Sequence, residues 1–231
     1  MIYALIVAAG KGVRVGGDIP KQFLSCANEP ILVRTIKAFQ NNKNIDRIIV
    51  VTSAPYMALV NDYVKSFNLN KVSDVVLGAS TRQLSVFNGL KCIAKKEASE
   101  EDYVLIHDGA RPLVKDAIID RNCNALKNHE CVCTVIKNPN TTYFSKDGAK
   151  IDSIMNRDQL YFAQTPQSFR FKTIFELHKN AYQNNIIDST DDAQLAQIAQ
   201  KEIFLVEGSN DNIKITAKED IKIAEAILKG E

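Results

Sequence analysis

The sequence carries almost no net charge: 29 Lys and Arg offset 27 Asp and Glu, leaving +2 over 231 residues. That balance is too small to point to a nucleic-acid or membrane-surface partner, so any anion chemistry must be local. No uninterrupted apolar stretch of about 18 residues exists, and no membrane-spanning helix is expected. Cys26, Cys92, Cys123, Cys131 and Cys133 are odd in number and lack paired CxxC spacing, which argues against a zinc ribbon or a disulfide framework. They read as reduced, mostly buried thiols; with no basic leader before the apolar N-terminal strand, the expected location is cytoplasmic. What is present is globular: 45% hydrophobic and 24% charged residues with a mean hydropathy of -0.14, values that exclude a disordered chain. A chain of this length buries roughly 70% of the surface its unfolded form exposes, so no staple is needed.

The hydrophobic pattern predicts alternating strands and helices in the first half. The short, all-apolar, β-branched run at 2–7 reads as a strand covered on both faces, 47–52 as a second buried strand, 74–77 and 103–106 as further strands, and stripes at 31–41, 57–67 and 83–95 as the helices between them. That order predicts a doubly wound parallel sheet with ligands at the strands' carboxyl ends. After a further strand at 131–136 the rhythm changes. Residues 141–144 and 149–154, joined by Ser145-Lys146-Asp147-Gly148, read as a hairpin within an arm at 138–156. A two-stranded ribbon is marginal alone, so a second subunit is the expected support. Helices at 171–184, 190–200 and 218–229 and a strand at 202–206 complete a single domain, 1–231.

Two stretches carry candidate chemistry. The first is Ala8-Ala9-Gly10-Lys11-Gly12-Val13-Arg14 with Pro20-Lys21-Gln22. It is neither a dinucleotide fingerprint, since the third glycine falls on Val15, nor a P-loop, since no Gly-Lys-Ser/Thr occurs. Its small residues let the backbone approach a ligand while Arg14, Lys21 and Lys11 supply positive charge, which suits a polyphosphate; the alternative is a tight turn with solvated cations. The second is Ile106-His107-Asp108-Gly109-Ala110-Arg111-Pro112. Asp108, leaving a buried strand at the ligand edge, is a candidate Mg²⁺ ligand. The alternative is a turn-capping Asp108, and His107 by itself reads as a core imidazole. Arg157 reads either as a surface partner of Asp152 or Asp158 or as a bidentate phosphate ligand.

Together with Arg82-x-x-Ser85-Val86, Gln164-Thr165-Pro166-Gln167-x-Phe169, Thr190-Asp191-Asp192-Ala193 and Asn212-Ile213-Lys214-Ile215-Thr216, these motifs resemble, in order and over nearly the whole chain, those of the 2-C-methyl-D-erythritol 4-phosphate cytidylyltransferase family and its nearest relative, the ribitol-5-phosphate cytidylyltransferases. The resemblance implies a three-layer α/β/α Rossmann-like nucleotidyltransferase fold with a protruding β-arm, and Mg²⁺-dependent transfer of CMP from CTP to a polyol phosphate. It implies that Arg14, Lys21 and Lys214 surround the triphosphate as catalytic cations and that Asp108 serves Mg²⁺. It places the nucleotide against Ala8, Ala9, Gly10, Gly12, Gly78, Ala79, Ser80, Arg82 and Ser85, and the acceptor against Thr141, Arg157, Thr165, Asp108 and Arg111. It further implies a homodimer with interlocking arms, and Lys214 is expected on a strand just before Thr216.

The departures from the pattern cluster at acceptor and base-reading positions. Asn140-Thr141-Thr142-Tyr143 stands where relatives show Asp-Thr-Ile, followed by Lys in the erythritol enzymes. Ala79 replaces a turn glycine, so a positive φ there would be costly. Phe162-Ala163-Gln164 and Ile106-His107-Asp108 resemble the erythritol enzymes more closely than the ribitol enzymes. A NAD(P)-binding module of the same fold is the other class; it requires an acid at the end of the second strand, where Thr52-Ser53-Ala54 stands instead.

Overall fold

The computed structural model describes residues 1–10, 19–96 and 98–230. In chain order the elements are β1 (Ile2–Ala8), β2 (Ser25–Cys26), β3 (Glu29–Pro30), α1 (Ile31–Asn41), β4 (Arg47–Thr52), α2 (Met57–Ser66), β5 (Val72–Leu77), α3 (Arg82–Ala94) and β6 (Tyr103–Asp108). They continue with α4 (Asp116–Ala125), β7 (Cys131–Lys137), β8 (Thr142–Phe144), β9 (Ser153–Met155), β10 (Tyr161–Arg170), α5 (Phe171–Gln183), α6 (Asp192–Ile198), β11 (Phe204–Glu207) and α7 (Lys218–Lys229). Seven strands form one sheet in the order β11-β7-β10-β6-β1-β4-β5. The ladders β1–β4, β1–β6, β4–β5 and β7–β11 are parallel, and β10 runs antiparallel to both β6 and β7.

β1 is apolar throughout because both of its faces are covered. Ala4, Ile6 and Ala8 join a core with Leu32, Ile36 and Phe39 of α1, Val60 of α2 and Ile118 and Ile119 of α4. Tyr3 and Leu5 face the opposite way, into a core with Val86 and Leu90 of α3, Ile174 of α5 and Ala196 of α6. Full burial of each such aliphatic side chain contributes roughly 1.5–3 kcal/mol. The chain leaves β1 for β4 on one side and returns through α3 to β6 on the other, so a topological switch point opens at the carboxyl ends of β1 and β6. No helix among the described residues is long and apolar enough to cross a membrane. All five cysteines are free, and burial pushes the Cys123 thiol up to about 12.

Four elements have no counterpart among those expected from the sequence: the two-residue strands β2 and β3, and the longer α4 and β10. α4 (DAIIDRNCNA) carries few strong helix formers, and β10 contains Pro166, which argues against an interior strand. The sheet accommodates Pro166 because the β10–β7 register shifts between Ala163 and Gln167. Lys214 is not on a strand. The alternation of Ile213 and Ile215 is real, with Ile215 fully buried beside Ile31, Leu113 and Ala224, but the segment is irregular and ties down through Ile215 N–H to the Ala110 carbonyl (2.9 Å). The hairpin is shorter than expected, three residues a strand, and its apolar side chains stand in solvent: Tyr143 is 57% and Ile154 68% exposed.

Candidate functional site

A cavity of about 630 Å³ opens at the switch point. Its floor is the end of β1, where Ala8, Ala9 and Gly10 begin the glycine loop. Gln22, buried just after the expected Pro20-Lys21 pair, donates through Nε2 to the carbonyls of Ala8 (2.7 Å) and Gly10 (3.0 Å), fixing the loop's entry. Lys21 lines the wall beside it. Gly12 and Arg14, like Lys11, lie outside the described residues.

The opposite wall is built by residues 79–82 and the N-terminus of α3, whose partial positive charge suits an anion. The Ser85 hydroxyl, reaching back one turn, accepts the Ala79 N–H (2.9 Å) and donates to the Thr81 carbonyl (2.8 Å). Thr81 caps the helix, accepting the Leu84 N–H, and its own proton goes to the Ile187 carbonyl (2.6 Å). Ser85 therefore shapes the loop, its own hydrogen-bonding capacity largely spent. Gly78 sits behind, where a Cβ would come within 2.4 Å of the Ala9 Cβ. Ala79 is not among the positive-φ residues, so the cost anticipated there does not arise. Because Ser85→Ala removes the acceptor of the Ala79 N–H on the exposed cavity rim, the loop loses a hydrogen bond worth about 0.5–1.5 kcal/mol, and the KM of the ligand bound there is expected to rise about threefold to tenfold with a much smaller change in kcat, as read by steady-state kinetics.

At the far end of the cavity Asp108 gathers three cations. Its Oδ2 lies 3.1 Å from both Lys214 Nζ and Arg111 Nε, and its Oδ1 lies 4.0 Å from Arg82 Nε. Burial alone would raise its pKa, but Lys214, Arg82 and Arg111 hold it well below the usual carboxylate range. Arg82 is also clamped by Asp192 (2.8 Å), and Arg111 donates to the Asn212 carbonyl (2.9 Å), which anchors the Lys214 segment. Arg111 touches Asp108 but does not line the cavity.

His107 and Thr165 hold this cluster from behind. The Arg111 carbonyl facing His107 Nε2 can only accept, so the neutral ring leaves Nδ1 bare, and Thr165 Oγ1, which accepts the Asp108 N–H (3.1 Å), donates its proton to Nδ1 (3.0 Å). Nε2 then carries the imidazole proton and donates to the Arg111 carbonyl (3.2 Å). His107 is the core imidazole that the sequence suggested, and the Thr165 hydroxyl is engaged within the protein instead of reaching the cavity. Burial lowers the His107 pKa from 6.5 to about 4. Between those values the unfolded chain takes up a proton that the folded one refuses, so stability falls as pH drops across that window and is retained above it, by about 3 kcal/mol. Urea midpoints measured from pH 7 to 4 are expected to slide downward accordingly; a flat profile would contradict the buried neutral ring.

Thr141 and Arg157 are not brought to this cavity within the chain. Both are exposed on the arm, and the Arg157 guanidinium forms no ion pair with Asp152 or Asp158 or with any other described residue. The surface-pair reading of Arg157 is thereby corrected.

A sequence profile of the 2-C-methyl-D-erythritol 4-phosphate cytidylyltransferase (IspD) family matches residues 2–230. The chain belongs to this family. It is therefore an enzyme, a cytidylyltransferase of the nucleotidyltransferase class. A family member from Clostridium novyi (strain NT) is 39% identical over 98% of this chain and 96% of its own length. A ribitol-5-phosphate cytidylyltransferase from Streptococcus agalactiae serotype Ia is 36% identical over 98% of this chain and 95% of its own. The crystal structure of 4-diphosphocytidyl-2C-methyl-D-erythritol synthase from Anaerococcus prevotii DSM 20548 superposes with a TM-score of 0.84 at 31% identity, covering 99% of this chain and 98% of that one.

Proposed function

We propose that the enzyme transfers CMP from CTP to the phosphate of 2-C-methyl-D-erythritol 4-phosphate, releasing pyrophosphate. The observation that carries this reading is the convergence of Lys214, Arg82 and Arg111 on Asp108 beside a tight small-residue loop and Lys21. An acceptor phosphate monoester is already anionic at neutral pH, so its oxygen attacks the α-phosphorus in line while the bond to the bridging oxygen of pyrophosphate breaks. No general base is required, which suits a site whose one nearby imidazole is buried and committed. The work left to the protein is to offset negative charge on two phosphorylated substrates. In this reading Lys21, Lys214 and Arg14 meet the triphosphate, residues 79–81 and the end of β1 read the cytosine, and the arm carries Thr141 and Arg157 to the acceptor.

The donor set at Asp108 fits Mg²⁺. Oδ2 is taken by two cations, whereas among the described residues Oδ1 has only Arg82 at 4.0 Å. No cluster of three metal-ligating side chains occurs among the described residues, and Mg²⁺ commonly takes one or two carboxylates with phosphates and water supplying the rest. Bound there, the ion would neutralise phosphate charge. The exposed apolar arm supports a homodimer, and the free thiols support a cytoplasmic setting.

Ribitol 5-phosphate is the second acceptor to weigh, because Asn140 and the 57%-exposed Tyr143 depart from the erythritol pattern at the arm. Pyrophosphate release with CTP and Mg²⁺, offering both polyol phosphates in parallel and ATP, GTP and UTP as controls, tests the reading. Turnover with methylerythritol phosphate alone is the expected result. Turnover with ribitol phosphate alone would transfer the assignment and make Asn140 and Tyr143 specificity residues, and silence with both would overturn it.

A further inference from the structure

His178 on α5 is fully buried on the helical layer behind the cavity wall, and the reaction described above leaves it unused. Its Nε2 lies 3.1 Å from Asp192 Oδ1, and the other oxygen of Asp192 accepts from Arg82 Nη2 at 2.8 Å. We propose that His178 is a positioning residue for the nucleotide: by holding Asp192 in register it sets the guanidinium of Arg82 in the cavity wall. This inference rests on the reading of the cavity as the CTP site.

Four observations carry it. The side chains of His178 and Asp192 are 0% and 1% exposed, so water does not compete for the contact. A carboxylate only accepts, so Nε2 is the donor; His178 Nδ1 is buried with no partner among the described residues. An orphaned polar atom is costly, and an apolar residue would fill the position without that cost. Among the described residues the contact with Asp192 is thus the polar interaction to set against it.

The ring itself is held flat against Phe87, centroids 6.0 Å apart at 17°, and Phe87 lies on the same helix as Arg82. The backbone of Asp192 is fixed independently: Gln167 Oε1 accepts its N–H (3.0 Å) and that of Ala193 (3.1 Å). The preceding segment is tied to the start of α3, with Thr81 donating to the Ile187 carbonyl and Gln83 to that of Ile186 (both 2.6 Å). Backbone anchoring leaves the carboxylate torsion free, and His178 and Arg82 grip its two oxygens from opposite sides.

The test is steady-state pyrophosphate release with CTP varied, on wild type, His178→Phe, His178→Gln, Arg82→Ala and the Arg82→Ala/His178→Phe double variant. His178→Phe is expected to raise the CTP KM about tenfold, the worth of one hydrogen bond to a charged group, with kcat changed by less. His178→Gln, whose amide donates from nearly the same place, is expected to restore KM to within about threefold. In the Arg82→Ala background the Phe substitution is expected to add nothing. Should His178→Phe not fold, His178→Asn, too short to reach Asp192, takes its place with the same expectation. A wild-type KM in these variants, or an equal KM penalty with and without Arg82, would overturn the proposal while leaving CTP turnover intact. A wild type that ignores CTP would instead overturn the functional reading, and this inference with it.

Discussion

Asp108→Asn is expected to lower kcat by a factor of about 10²–10³ while the protein still folds, because it removes the anion shared by three cations at the far end of the cavity. The three are not equally dependent on it. Arg82 retains Asp192, and Arg111 retains the Asn212 carbonyl, whereas Lys214 loses the only ion-pair partner it has among the described residues. Lys214 is also on an irregular segment, held by Asn212 and by one backbone bond from Ile215, so it has the most freedom to swing away. The loss is therefore one of preorganised charge, and it is separable from global destabilisation. Removing one partner of a buried pair can cost about 3–5 kcal/mol, but Asn keeps an accepting oxygen and most of the volume, which places the stability cost toward the low end.

Acid has a different signature from the substitution. Asp108 is held below the usual carboxylate range by Lys214, Arg82 and Arg111 against the opposing effect of burial. The stability it contributes is present above the ordinary carboxylate pKa and is lost only as pH falls through its lowered folded value. The charge cluster thus stays intact across any pH at which turnover would be assayed. A wild-type rate in Asp108→Asn, measured with saturating CTP and acceptor, would remove Asp108 from the reaction.

Much of the scaffold was legible because its burial is two-sided and its helices have one apolar stripe. β1 and β4 read as unbroken apolar runs since both faces meet helices, and the bounds of α1 and α7 follow from amphipathic periodicity bracketed by Pro30 and Gly230. The carboxyl edge of the sheet as the place of the site follows from the alternation itself, and Ala8, Ala9, Lys21, Asp108 and Lys214 do meet there. What pattern could not convey is which polar side chains are consumed internally. Ser85 and Thr165 carry hydroxyls that the family resemblance places against a ligand, yet each is bonded within the fold. Gln22 stood in plain view in Pro20-Lys21-Gln22, and its part in fixing the loop emerges only when its amide is seen against two backbone carbonyls. β10 was hidden by its proline, since a register shift is a property of two strands and leaves no mark on one.

Mixing two inactive variants is expected to restore activity, and this decides where the arm works. No residue between 138 and 160 lines the cavity, while the arm exposes Tyr143, Phe144, Ile151, Ile154 and Met155. A ribbon of two three-residue strands is marginal alone, and an apolar surface of this kind is most economically covered by its symmetry mate. If the arm of one copy serves the cavity of the other, Lys21→Ala damages the site of its own chain and Arg157→Ala damages that of the partner. Each homodimer is expected to lose about a hundredfold in turnover at moderate acceptor concentration, from one lost cation in a preorganised site. In a co-expressed mixture half the dimers would be hybrids, each with one doubly damaged site and one intact site, so activity would return to roughly a quarter of wild type. Arms that act only on their own chain leave no intact site in any hybrid, and the mixture stays near the level of its parents. Sedimentation of the wild type separates the remaining case, since a monomer at micromolar concentration would itself rule out service in trans.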